Sequence, residues 1–198
     1  MERLVCYIMM KYVLASASPR RKELLAELVK DFEIIPSAFE EKNESGLSPR
    51  ALVKALAEGK AKEVALRAEN AGKIVIGSDT VVAFGEKVLG KPTDAQDAFR
   101  MLKALSGRSH AVYTGVCFAC VKDGKLHLLT DADKTTVHFN KLSDEWIWEY
   151  VRGGSPMDKA GAYGIQDGGL VEKIEGSYTN VVGFPVELVK NMLEKEWV

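Results

Sequence analysis

The stretch HAVYTGVCFACVKDGKLHLLTDADKTTVHF, residues 110–139, decides the fold. Two runs rich in Val, Phe, Tyr, Thr and Leu flank Asp123-Gly124. A two-residue hairpin turn needs positive φ at both central positions, which an Asp-Gly pair tolerates well. The spacing therefore predicts two long antiparallel strands, over about 110–121 and 126–139.

Upstream, helix and strand alternate. Residues 11–15 read as a buried strand, and Ser18 as N-cap with Pro19 at the first helical position opens a helix to about Lys30. A short strand over 32–36 precedes an acidic loop containing Glu40, Glu41 and Asn43. Ser48-Pro49 then starts a long helix to about Glu69, followed by strands over 73–77 and 80–84. Thr93 with Gln96 three residues later forms a capping box for a helix ending near Gly107. Downstream of the hairpin come a helix over 143–151, a glycine-rich passage DKAGAYGIQDGG, a strand over 170–174 and a C-terminal helix from Pro185. Alternation followed by a hairpin predicts a mixed α/β sheet, not a purely parallel one.

The composition excludes several classes. With 46% hydrophobic and 28% charged residues and a net charge of -1, the 198-residue chain has the make-up of an ordinary globular protein without a basic face for nucleic acid. No apolar run approaches the ~20 residues of a membrane span, so a cytoplasmic location is expected. The chain reads as one domain over 1–198, with 1–10 as an N-terminal extension, since initiation at Met9 or Met10 would leave the first strand complete. Cys117 and Cys120 match C-x-x-C, but they fall in a predicted strand, where residues three apart face opposite sides, and no second pair exists. They read as small apolar residues.

Several charged residues break the structural pattern. On a helical wheel Lys60 falls between Leu56 and Val53, inside the apolar stripe of its helix. It either snorkels past its neighbours or points into a cleft holding an anion. Glu58 falls on the opposite side beside Lys54 and Lys62 and reads as a solvated pair member. Arg21 lies within the stripe of Leu24, Leu25, Leu28 and Val29, and Arg20 at its edge, at a helix N-terminus already carrying partial positive charge. Either internal carboxylates or a bound phosphate or carboxylate must balance them. Asp79 interrupts the run IVIGSDTVV, as a turn cap or as an acid at a strand end, where open α/β sheets place ligands. With Lys91, which precedes a proline, the chain offers four cations for a polyphosphate and, in Glu41 and Asp79, two carboxylates for a divalent metal. Neither G-x-x-x-x-G-K-[ST] nor a strand-borne G-x-G-x-x-G is present.

The blocks LASASPRRKELL, GSDTVV, VLGKP, LSGRSHAVYTGV, DKAGAYGIQ and GSYTNVVGFPVE, in this order, resemble the Maf family of nucleoside triphosphate pyrophosphatases over residues 11 to 195. The resemblance implies a mixed α/β fold of two lobes around a cleft, similar to inosine triphosphate pyrophosphatases. It also implies hydrolysis between the α and β phosphates with a divalent metal, Mg or Mn, and makes a homodimer plausible. Asp79 matches the family's catalytic acid. Ser16, Arg20, Arg21, Glu41, Lys60, Lys91 and Gln166 match its other cleft positions. Gly59 departs from the family, many of whose members carry an acid or amide there. Arg20 after Ser-Pro, Thr80 after the aspartate and Gln166 resemble the branch that acts on thymidine and uridine triphosphates, and the Gln166 amide offers both a donor and an acceptor to a pyrimidine edge. A non-catalytic nucleotide-binding regulator of cell division is the rival reading.

Overall fold

The computed structural model describes residues 10–40 and 46–195. Its strands are β1 (Tyr12–Leu14), β2 (Phe32–Ile34), β3 (Ile74–Phe84), β4 (Lys87–Leu89), β5 (Ser109–Lys122), β6 (Lys125–Phe139) and β7 (Val171–Glu175). They form one sheet in the order β2-β1-β3-β5-β6-β7, with β4 paired to β3. β1 runs parallel to β2 and β3, and every other pairing is antiparallel. The hairpin forms as the sequence predicts, with φ of 51° at Asp123 and 70° at Gly124.

The helices are α1 (Pro19–Ala26), α2 (Pro49–Ala65), α3 (Ala95–Leu105), α4 (Asp144–Arg152), α5 (Tyr178–Val182) and α6 (Val186–Leu193). Ser18 and Ser48 cap α1 and α2 as expected. α2 stops at Ala65, short of Glu69, because the buried Asn70 amide donates to the Val64 carbonyl, an acceptor that a longer helix would use. α3 starts one residue later than the Thr93 box predicts: Asp94 is the cap and accepts from the Asp97 amide, while the Asp97 carboxylate reaches back to the Thr93 amide.

The largest departure is β3. Separate strands over 73–77 and 80–84, with Asp79 as a turn cap or a strand-end acid between them, are expected, but a single strand passes through, because β5 pairs with it continuously from Val75–Ala119 to Ala83–Ala111. Cross-strand hydrogen bonds outweigh the local turn preference of Gly-Ser-Asp. On its other edge β3 pairs with β1 only to Ile76 and with β4 only from Val82. The segment between them is a notch in the sheet.

Packing divides around this notch. One face of the sheet is covered by α2, whose Ala57, Ala61 and Val64 meet Val13, Val75, Cys117 and Ala119. On the other face Leu25, Phe184, Val189 and Met192 form one core with Leu14, Ile76 and Phe118. A second core joins Leu102, Leu105, Ile147 and Val151 to Val82, Val112 and Phe139. Between these two cores runs a fully buried polar seam of Ser78, Thr114, Thr135 and Asn180. The Asn180 amide donates to the Val112 carbonyl and to Thr135 Oγ1, both at 3.0 Å, and Thr114 donates to the Asn180 carbonyl at 2.8 Å. Such bonds offset the desolvation that buried polar groups incur.

Candidate active site

A cavity of about 680 Å³ opens at the notch, at the carboxyl end of β1, within the size range of small-molecule sites. Asp79 and Lys60 stand on its wall, 2.5 Å apart between Oδ1 and Nζ. Odd-numbered β3 residues face α2, so Asp79 meets the helix that carries Lys60. The approach is close: a Cβ on Gly77 would lie 2.4 Å from the Ala57 carbonyl oxygen, and one on Gly115 2.2 Å from that of Val53. Two glycines thus let α2 sit low enough for the lysine to reach the strand. Lys60 neither snorkels to bulk water nor stacks in the core; its side chain is 17% exposed and that of Asp79 12%. Asp79 is a mid-strand acid and not a turn cap, the correction that follows from the continuous β3.

Arg21 fills the notch from the opposite face. Its Nη1 donates to the Ser78 carbonyl at 2.8 Å, its Nε to the Gly183 carbonyl at 3.0 Å, and its Nη2 to Thr80 Oγ1 at 3.3 Å. The guanidinium takes up a carbonyl that a strand partner would otherwise satisfy. These carbonyl and hydroxyl oxygens orient the guanidinium. Ser16 does not line the cavity: its Oγ accepts from the Ser18 amide and from Arg21 Nη1, so it supports the arginine. Thr80 does line it, and also bonds Thr114 at 3.0 Å. Arg20 meets an internal carboxylate, with Nη1 3.7 Å from Asp158 Oδ2, a solvated pair of little energetic consequence.

Lys91 and Gln166 are exposed residues on the far wall, beside the glycine-rich loop. Lys91 has no ion pair among the described residues. Glu41, the expected second metal carboxylate, lies outside the described residues. Glu58 pairs with Lys62 away from the cavity, as expected. The Gly59 departure has a steric counterpart: the Phe39 ring lies over it, and a Cβ there would come within 2.4 Å of the ring. Cys117 is a core residue, its thiol pushed up to about 12 by burial.

Three wall residues escaped sequence reasoning: Asp158, Lys159 and Tyr163. All belong to DKAGAYGIQ, but none breaks a helical or strand period, since the segment folds as one-turn 3-10 helices. Position in a non-periodic loop leaves no wheel on which to see them. The buried Tyr163 hydroxyl meets His110 Nε2 at 2.8 Å. Burial, aided by His138, holds the His110 pKa down to about 4, so the ring is neutral near pH 7.

A mixed sheet whose notch is lined by Arg20, Arg21, Lys60, Lys91 and Lys159, with the Asp79 and Asp158 carboxylates among them, has the form of a polyanion-binding α/β protein. The chain belongs to the Maf-like protein family, whose model matches residues 11–196. It is 52% identical over 186 residues to the dTTP/UTP pyrophosphatase of Thermococcus kodakarensis, covering 92% of this chain and 95% of that one. The dTTP/UTP pyrophosphatase of Clostridium botulinum strain Kyoto is 48% identical over 191 residues, covering 93% and 96%. Among solved structures, the Ham1 protein of Staphylococcus aureus aligns over 93% of this chain and 98% of its own, with a TM-score of 0.47 and 16% identity. Among the described residues, no helix is long and apolar enough to cross a membrane.

Proposed function

We propose that the chain hydrolyses dTTP and UTP to the nucleoside monophosphate and pyrophosphate. The observation that carries this is the Lys60–Asp79 pair on the wall of a cation-lined cavity. Its relatives' names supply the substrate class. Asp79 takes a proton from the attacking water, which adds to the α-phosphorus as the bond to the bridging oxygen of the β-phosphate breaks. Lys60, donating to Asp79 Oδ1, orients the carboxylate for that transfer. Arg21, fixed by carbonyls, and Arg20 and Lys91, at the mouth, receive the charge that develops on departing pyrophosphate. Gln166 reads the pyrimidine edge.

A divalent cation suits this donor set. No cluster of three metal-binding side chains exists among the described residues. Magnesium, however, is commonly held by one or two carboxylates together with substrate phosphates and water. Asp79, with Glu41, would hold it. Mg or Mn would supply charge neutralisation on the phosphate oxygens.

The test is a panel of nucleoside triphosphates with magnesium, assayed for pyrophosphate and monophosphate together. Equimolar release from dTTP and UTP is expected. Orthophosphate in their place, or no turnover, overturns the assignment.

A further inference from the structure

The glycine-rich loop that carries Gln166 is held by a polar knot that the hydrolytic site does not use. Asp167 Oδ2 accepts from the Tyr150 hydroxyl at 2.5 Å and from the Ser155 hydroxyl at 2.6 Å. The Tyr150 oxygen in turn accepts from the Gly164 amide at 3.2 Å, and the Asp167 amide donates to the Gly164 carbonyl at 3.1 Å. Lys159 closes the other end, donating to the Ser155 carbonyl at 2.5 Å and to Ser155 Oγ at 3.2 Å. Gly164 and Asp167 thereby meet on one tyrosine of α4, and Ser155, with Lys159 bonded to it, joins the network through Asp167. Gln166 is the residue immediately before the shared carboxylate.

The tyrosine is itself immobilised. Its ring stacks on Trp146 at 5.5 Å between centroids, and Trp146 lies against Gly169, where a Cβ would come within 3.0 Å of Cζ2. Gly168 and Gly169 both have positive φ, 71° and 74°. So α4 clasps the loop at both ends of the Gln166 segment, at Gly164 through a hydrogen bond and at Gly169 through an aromatic face. Burial would raise the Asp167 pKa, but the bonds from Ser155 and Tyr150 outweigh it and hold the carboxyl below its ordinary range. It is an ionised acceptor near neutrality, and hydrogen bonds to an ionised group are the stronger kind.

We infer that Tyr150 and Asp167 are positioning residues for nucleobase discrimination: they fix how far the Gln166 loop stands from the opposite wall of the cavity, and so which ring size is admitted. This rests on the proposed function for the identity of the ligand. A glutamine amide alone discriminates poorly, because rotation exchanges its donor and acceptor. A loop held at fixed distance can instead exclude a larger base sterically, which is specificity by rejection.

The test compares binding of non-hydrolysable α,β-methylene analogues of UTP and GTP by calorimetry, for the parent chain, Tyr150→Phe, Asp167→Ala and Asp167→Asn. Tyr150→Phe keeps the ring stack and removes only the hydroxyl. The UTP-over-GTP affinity ratio should fall about tenfold in Tyr150→Phe and Asp167→Ala, the size of effect expected for one lost hydrogen bond. Most of it should return in Asp167→Asn, whose carbonyl still accepts. A merely structural role would lower both affinities alike. A ratio within about twofold of the parent in Tyr150→Phe and Asp167→Ala, or a parent without preference, overturns the inference. Since binding is the readout, failure of hydrolysis in the triphosphate panel is a separate result.

Discussion

Lys60 on α2 places its Nζ 2.5 Å from Asp79 Oδ1, on the stretch of β3 that lies between its β1 and β4 pairings. A lysine and an aspartate that meet there act as a unit. Asp79→Asn should lower kcat on dTTP by about a hundredfold or more, and Lys60→Met by a comparable factor. The double variant should be scarcely slower than Asp79→Asn alone, because groups acting together are not additive. Steady-state kinetics on the three proteins, with circular dichroism to confirm folding, checks this; multiplicative losses would separate the two roles.

Gly115 sets the depth of α2. Gly115→Ala drives a methyl into the Val53 carbonyl, and overpacking of that kind costs about 1–3 kcal/mol. Urea unfolding should show this loss, and kcat should fall because the helix bearing Lys60 is displaced. Gly90→Ala, where a Cβ would meet nothing within 4 Å, should leave unfolding nearly unchanged. Equal stability of the two variants would refute the close-approach account.

His110 imposes a pH dependence on stability. Burial depresses its folded pKa from 6.5 to about 4, so between these values the unfolded chain binds a proton that the folded chain does not. Stability from this group is therefore complete above about pH 6.5 and is lost as pH falls through 4. From pH 7 to pH 5 the linkage amounts to about 2 kcal/mol. His110→Gln, which can still meet the Tyr163 hydroxyl, should lose about that much less over the same interval. Urea titrations at the two pH values measure it, and parallel losses would exclude His110 as the source.

The sequence displayed what periodicity can display. Asp123-Gly124 announced the hairpin, Ser18 and Ser48 their helix starts, and the wheel picked out Lys60 and Arg21 because cations in an apolar stripe violate the pattern. Asp79 was visible as an acid but misplaced, since the turn preference of Gly-Ser-Asp is local while the pairing that overrides it comes from β5, over thirty residues away. Ser16 enters among the cleft positions through the family resemblance alone; in the fold it stands behind the arginine, off the cavity wall. Asp158, Lys159 and Tyr163 sit in a loop that contacts α4 through the Gly164–Tyr150 bond and β5 through the Tyr163–His110 bond, and nothing in their spacing reports those contacts.

The bond from Arg21 to the Gly183 carbonyl joins residues 162 positions apart. During synthesis α1 leaves the ribosome early, yet its guanidinium lacks this anchor until nearly the whole chain has emerged. The bonds to Ser78 and Thr80 draw on residues made much earlier, so of the three anchors only the one at Gly183 ties α1 to the C-terminal part of the chain.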